Sequence, residues 1–287
     1  MNTDRSRLEQ VQQMYSHSDA SVRGRFGADV EQALAYVDRY TRYVSAHAPG
    51  PSSRILDVGC GGGWSTLVLR RLGHRAEGLD LHAHALEARA LDAELPYTQG
   101  DATKLPFPDG TFDVVCMRDT LEHVPEPRKA LDEAARVLRQ GGRLIVVGPN
   151  LLSVPVNAYW SVRHTVRVLK SKRLWEQRTE DMPRHPGGNT MPESWAYTAH
   201  HLWHTARKLV LERNQPRFLM REPDSRPPFT ADNDACYYCN PMDLRNWARQ
   251  HGGLRVVQGW ADDRRGGRWL WPVLGGTWMV LERDASA

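Results

Sequence analysis

Hydrophobic and polar positions divide the chain into two regimes. Up to His47 the apolar residues fall at helical spacing, with Val30, Leu34, Val37, Tyr40 and Val44 on one face of "VEQALAYVDRYTRYVSAH". Pro49, Gly50 and Pro51 end that pattern. From Arg54 onward, short apolar runs alternate with amphipathic stretches. "RILDVG", "RAEGLDL", "LPYTQG", "FDVVCM" and "RLIVVG" read as strands. "WSTLVLRRLG", "AHALEARALDA" and "PRKALDEAARVLRQGG" read as helices, the first ending at Gly73 and the last at its glycine pair. Strands that alternate with crossover helices predict a parallel sheet covered on both faces, an α/β core.

The pattern resumes late in the chain. "NPMDLRNWARQHGG" has Asn240 as N-cap, Pro241 at the first helical position and Gly252 just past the end. "LRVVQGW" and "TWMVLER" follow as strands. The stretch between the fifth strand and this helix, Asn150 to Cys239, is too long for a loop and is expected to fold as an insertion. It opens with "NAYWSVRHTVRVLKSKRLWEQR", which holds six Arg or Lys against one Glu. As a helix this segment sets Tyr159, Val162, Val166 and Leu169 on one face, beside a stripe of Arg163, Arg167 and Lys170. The predicted organisation is a helical cap over 1–50, a core over 51–150, an insertion over 151–239 and the rest of the core over 240–287.

Composition adds bounds. The 287 residues are 40% hydrophobic, with 10 Trp and 9 Tyr, which suits a folded enzyme with one large core. A net charge of +4 is too mild to imply a nucleic-acid partner, and the basic residues gather on one helix instead of an extended face. "MNTDRSRLEQVQQ" lacks the apolar centre of a signal peptide, and no run is long enough to span a bilayer, so the expected location is cytoplasmic. Cys60 and Cys116 lie in apolar strand-like segments. Cys236 and Cys239 form a lone "CYYC" with no second ligand pair, so neither zinc nor redox chemistry is expected there.

The candidate chemistry begins at "ILDVGCGGGWST", where Gly59, Gly61 and Gly63 alternate at a strand-to-helix turn. Glycine there permits a sharp turn and close approach to a ligand. Asp80 ends the second strand about twenty residues later, where a carboxylate accepts ribose hydroxyls. Asp101 sits in the loop after the third strand, within reach of an exocyclic amine. The glycine spacing is GxGGG and departs from the GxGxxG fingerprint of dehydrogenases.

Taken together, "LDVGCGGG", "GLDL", "GDATKLPFPDGTFDVV", "LEHVPEP" and "ARVLRQGGRLIVVGPN" closely resemble the class I S-adenosylmethionine-dependent methyltransferases, over residues 54–150 and again over 240–283. The resemblance implies a Rossmann-like seven-stranded sheet with helices on both faces and the last strand antiparallel, to which this chain adds a helical lid insertion. It implies S-adenosylmethionine as cofactor and S-adenosylhomocysteine as product. By position, Asp57, Gly59, Gly61 and Gly63 would serve the methionine portion, Asp80 the ribose, Leu81, Asp101 and Ala102 the adenine, and Met117 or Arg118 the methionine end.

Methyl transfer mainly requires alignment of a nucleophile, and a base only where the nucleophile starts protonated. His123, after the fourth strand, is the candidate base, and it favours oxygen slightly as the accepting atom. Asp119, Glu122 and His123 also follow the order of an acid and a Glu-His pair in the similar ubiquinone-pathway O-methyltransferases, where two carboxylates and an imidazole could hold a divalent cation. Arg118 places a positive charge beside that set, so no metal is assigned, and the acids are read as a helix start. The acceptor is expected between the ends of the fourth and fifth strands, the N-terminal helices and the insertion, with Tyr15, Asn150, Tyr159 and Trp160 as substrate-binding candidates. "HHLWH", with His200, His201 and His204, joins Trp195, Tyr197 and Trp203 as an aromatic lid. The expected partner is a small organic molecule. The alternative is a lipid or prenylated quinone met at an anionic membrane surface by the basic helix.

Overall fold

The computed structural model describes residues 30–81, 87–153, 158–159, 162–163, 165–166, 169–170, 191–212, 216–223, 235–259 and 276–285. Its elements are α1 (Val30–His47), β1 (Arg54–Val58), α2 (Trp64–Arg71), β2 (Arg75–Asp80), β3 (Tyr97–Gln99), β4 (Phe112–Arg118), α3 (Pro127–Val137), β5 (Leu138–Gly148), α4 (Met191–Val210), α5 (Pro241–His251), β6 (Leu254–Gln258) and β7 (Thr277–Arg283). The seven strands form one sheet in the order β3-β2-β1-β4-β5-β7-β6. β1 to β5 pair in parallel, and β7 runs antiparallel to both β5 and β6.

Two apolar layers flank the sheet, as the strand burial requires. Leu56, Val58, Val115, Met117, Leu144 and Val146 point to one face. Ile55, Val114, Cys116, Ile145 and Val280 alternate to the other, where Tyr40, Tyr43 and Val44 of α1 cover them. α5 has the predicted ends: the Asn240 side chain accepts from Asp243 N, Pro241 opens the helix, and Gly252 closes it at φ 73°.

Two boundaries differ from the sequence pattern. α3 ends at Val137, four residues before the glycine pair, because buried Leu138 is already extended and pairs with Phe112. The register then shifts before Arg143 pairs with Val114, and Gly141, at φ 70°, and Gly142 serve a tight turn at the strand entrance. A Cβ on Gly142 would meet Arg139 O at 2.8 Å and Asp113 O at 3.1 Å. Of the helix expected in "AHALEARALDA", a 3₁₀ turn at Glu87–Ala90 is described, and residues 82–86 lie outside the described set.

Candidate functional site

At the carboxyl end of β1 the chain makes a turn that ordinary residues resist. Gly59, Gly61 and Gly63 have φ of 74°, 49° and 81°, the left-handed region in which a Cβ is strained. Gly59 N and Cys60 N both donate to Leu79 O, at 2.7 and 3.2 Å, which pins the turn to the end of β2. A Cβ on Gly59 would lie 2.3 Å from Thr120 Oγ1. Thr120 in turn donates to Arg118 O and Val58 O, at 2.9 and 3.2 Å, so the ends of β1 and β4 are held together. A Cβ on Gly61 would meet nothing within 4 Å, so this glycine leaves open room at the strand edge.

The acids divide into two roles. Asp57 is buried beneath the turn, its Oδ2 accepting from Ser65 Oγ at 2.6 Å and Thr66 Oγ1 at 2.8 Å, and its Oδ1 from Tyr40 OH at 3.5 Å. Burial pushes its carboxyl up from the ordinary value, and the hydroxyl donors work against that shift. Asp57 thus braces the first turn of α2 and α1 from inside the protein. Asp80 stands at the open edge, where its Oδ2 accepts from Gly61 N at 2.9 Å. Leu81 follows it, its carbonyl accepting from Gln99 Nε2 at 3.1 Å. Asp101 Oδ1 accepts from Thr103 N at 2.8 Å, a turn that shapes the loop holding Ala102. Gly61, Asp80, Leu81, Asp101 and Ala102 thereby lie along the carboxyl ends of β1, β2 and β3.

A second cluster forms at the end of β4, next to β1. Met117 is fully buried in the core. The Arg118 guanidinium lies 3.8 Å from the Tyr36 ring centroid and 5.5 Å from that of Tyr40, and its Nε is 3.4 Å from Asp119 Oδ2. Tyr36 OH donates to the same Asp119 oxygen at 3.3 Å. Asp119 has φ 47°, and among described residues it is the one non-glycine in that region. A 3₁₀ turn, Leu121–His123, comes next. Glu122 is 1% exposed, and its carbonyl accepts from Cys236 N at 2.8 Å and Tyr237 N at 3.0 Å. His123 Nε2 is 3.8 Å from Glu122 Oε1. Asp119, Glu122 and His123 do not converge as metal ligands: among the described residues no three acid, His or Cys side chains group so as to hold an ion.

α4 is anchored to the core along its C-terminal half. Lys208 Nζ donates to Asp243 Oδ1 at 2.7 Å, Oδ2 at 2.9 Å, Glu212 Oε2 at 3.2 Å and Arg217 O at 2.6 Å. Tyr237 OH and Asn240 Nδ2 donate to Asp243 Oδ2 as well, at 2.9 and 2.8 Å. Thr205 Oγ1 donates to Leu152 O at 3.0 Å. The His200 and His204 rings share a face, 4.4 Å apart, and His200 and His201 each lie 5.6 Å from the Tyr238 ring. His201 Nδ1 donates to Tyr197 O at 2.8 Å, and burial pushes its pKa down to about 4. Burial lowers His200 and His204 too.

Not every residue singled out from the sequence joins this site. Trp195 and Trp203 are exposed on the outer side of α4, because the helix turns His201, Thr205 and Lys208 inward. The expected aromatic lid is therefore reduced to Tyr197 and the histidines, with Tyr238 facing them. Tyr159 is likewise exposed, its hydroxyl accepting from Arg163 Nη1 at 3.1 Å. Asn150 is buried beyond β5, its Oδ1 accepting from Leu152 N at 3.2 Å. Tyr15 and Trp160 lie outside the described residues. Sequence reading missed Tyr36, Thr120 and Tyr238, and the faint signal was the i, i+4 spacing of Tyr36 and Tyr40 on α1.

Residues 56–146 match the family described as "Methyltransferase domain". The chain is 39% identical over 126 residues to the demethylmenaquinone methyltransferase of Mycolicibacterium paratuberculosis, covering 43% of this chain and 53% of the relative. It is 43% identical over 109 residues to the ubiquinone/menaquinone biosynthesis C-methyltransferase UbiE of a Ruegeria species, covering 35% and 44%. The chain thus spans about half the length of the curated relatives it matches. A crystal structure of an S-adenosylmethionine dependent methyltransferase from Mesorhizobium loti superposes with a TM-score of 0.50 at 15% identity, covering 87% of this chain and 100% of the other, a likeness of fold. Over residues 56–146 the chain therefore matches a methyltransferase domain.

Proposed function

We propose that this protein transfers a methyl group from S-adenosylmethionine to a small organic acceptor bearing an ionisable hydroxyl. The observation that carries the reading is the adjacency of two strand ends. The glycine turn and Asp80 edge lie at β1 and β2, and Arg118 with the Glu122–His123 pair lies at neighbouring β4. The open room at Gly61 and the Asp80 carboxylate beside it, which accepts from Gly61 N at 2.9 Å, suit a nucleoside. Asp80 would accept the ribose hydroxyls, Leu81, Asp101 and Ala102 would border the adenine, and Arg118 would face the methionine end. When bound, the cofactor supplies an electrophilic methyl on a sulfonium.

The chain's own share is alignment and one proton. The acceptor hydroxyl passes its proton to His123 Nε2, and the Glu122 carboxylate, 3.8 Å away, offsets the charge of the imidazolium. A positioned base of this kind contributes about 10²–10⁴ in rate. Oxygen is the first choice of accepting atom, because it is the atom that loses the proton. A second reading is favoured by the named activity of the relatives, which methylate demethylmenaquinone or act as C-methyltransferases. There the same proton loss would activate a ring carbon of a prenylated quinone precursor.

The test uses donor labelled with ¹³C in its methyl group and a panel of hydroxylated ring compounds, including a short-chain prenylated hydroquinone. Mass spectrometry should find a gain of one methyl, and the ¹³C shift of the product separates oxygen from carbon. His123→Gln should lower kcat with little change in donor affinity. No methylated product from any member, together with no donor binding, would overturn the proposal.

A further inference from the structure

The insertion carries two exposed apolar stripes that the chemistry above does not use. On α4, Trp195, Leu202, Trp203 and Val210 are 57%, 52%, 60% and 74% exposed. At 100° per residue these positions span about a third of the helix circumference, and exposed Ala199 and Ala206 fill the same stripe. Tyr197, His201, Thr205 and Lys208 occupy the other side, which is the side anchored to the core. The second stripe lies in the helical residues between 158 and 170, where Tyr159, Val162, Val166 and Leu169 are each between 43% and 65% exposed. Exposed apolar surface of this extent marks an interaction site.

The charge beside the second stripe selects the occupant. The segment 157–178 holds six Arg or Lys against one Glu, whereas on α4 Arg207 pairs with Glu212 and Lys208 is buried against Asp243, so the α4 stripe offers apolar surface alone. Exposed Arg163 and Lys170 flank the second stripe. A cationic border around apolar side chains complements anionic headgroups over acyl chains, and Trp and Tyr suit the boundary between them. No helix among the described residues is long and apolar enough to cross a membrane. We infer that the insertion docks this protein on the surface of an anionic lipid bilayer, with the α4 and 158–170 stripes lying in the interface. This goes beyond methyl transfer and holds whichever acceptor is used.

The experiment is co-sedimentation of the full chain with vesicles of phosphatidylcholine alone or of phosphatidylcholine with phosphatidylglycerol. Binding should require the anionic lipid and fall with added salt. Each basic residue at such a surface is worth about fivefold in affinity, so R163E with K170E should weaken binding by at least about tenfold. L202S with W203S should weaken it by a similar factor through lost apolar insertion. Both double variants alter exposed side chains, and unchanged melting temperature and donor affinity would show that they remain folded. The proposal is overturned if the chain stays in solution with both vesicle types, or if the folded variants bind as well as the parent. It is also overturned if light scattering finds a dimer that L202S with W203S dissociates while vesicles bind nothing, since the stripe would then join two copies of this chain.

Discussion

Replacing Lys208 by Met should loosen α4 from the core, and the structure sets the size of the effect. Lys208 and Asp243 side chains are 3% and 1% exposed, and Tyr237 and Asn240 complete the shell around the carboxylate. Removing one member of such a buried pair strands the other charge, at a cost of about 3–5 kcal/mol. For a chain of this size that corresponds to a melting temperature lower by roughly 6–20 °C. The loss should depend on pH. Burial raises the Asp243 carboxyl above its ordinary value, with the Lys208 cation opposing the shift. Without that cation the folded-state value rises further, and a carboxyl that binds its proton more tightly when folded makes stability fall as pH increases. Lys208→Met should therefore lose more stability at pH 7.5 than at pH 5. Thermal melts of parent and variant at both pH values measure it. A shift under about 1 °C, or a greater loss at pH 5, would refute the claim that this pair anchors the helix.

Other perturbations probe separate parts of the account. Gly59→Ala puts a methyl against Thr120 in a left-handed turn, and should lose at least about 1–3 kcal/mol of stability along with donor affinity in calorimetry. His201, held near pKa 4 by burial, should make the fold acid-sensitive: stability is full above about pH 6.5 and falls towards pH 4, by roughly 3 kcal/mol in total. Urea titrations across that window should find a shallower slope in His201→Phe. Tyr36→Phe removes the hydroxyl bond to Asp119 and keeps the ring under Arg118, so it should change stability by about 1 kcal/mol or less in a urea titration.

The parallel core was legible because its signals are local. Each buried strand is a short apolar run, and each glycine turn announces a backbone that other residues resist. The α3 boundary was not, because "RQGG" reads as a helix stop until Leu138 is drawn into the sheet against Phe112. Asp57, Asp80 and Asp101 look alike in the sequence, and tertiary structure alone separates the buried brace from the residues at the open edge. Tyr238 reaches the histidine cluster from a distant element, so no spacing could reveal it, and Tyr36 was marked only by its i, i+4 spacing from Tyr40. The insertion misled in one respect: helical periodicity reports which residues share a face, and it does not say which face turns inward. On α4 the buried Lys208–Asp243 pair makes that choice and leaves Trp195 and Trp203 outside.

The central claim is that the β1–β2 edge binds S-adenosylmethionine through Asp80. Isothermal titration of the donor into the full chain, repeated with Asp80→Ala, tests it most directly. The parent chain should bind at one site, and the variant at least about tenfold more weakly, the loss of charge-assisted hydrogen bonds worth about 1.5–3 kcal/mol. No binding by the parent chain, or equal binding by the variant, would contradict it.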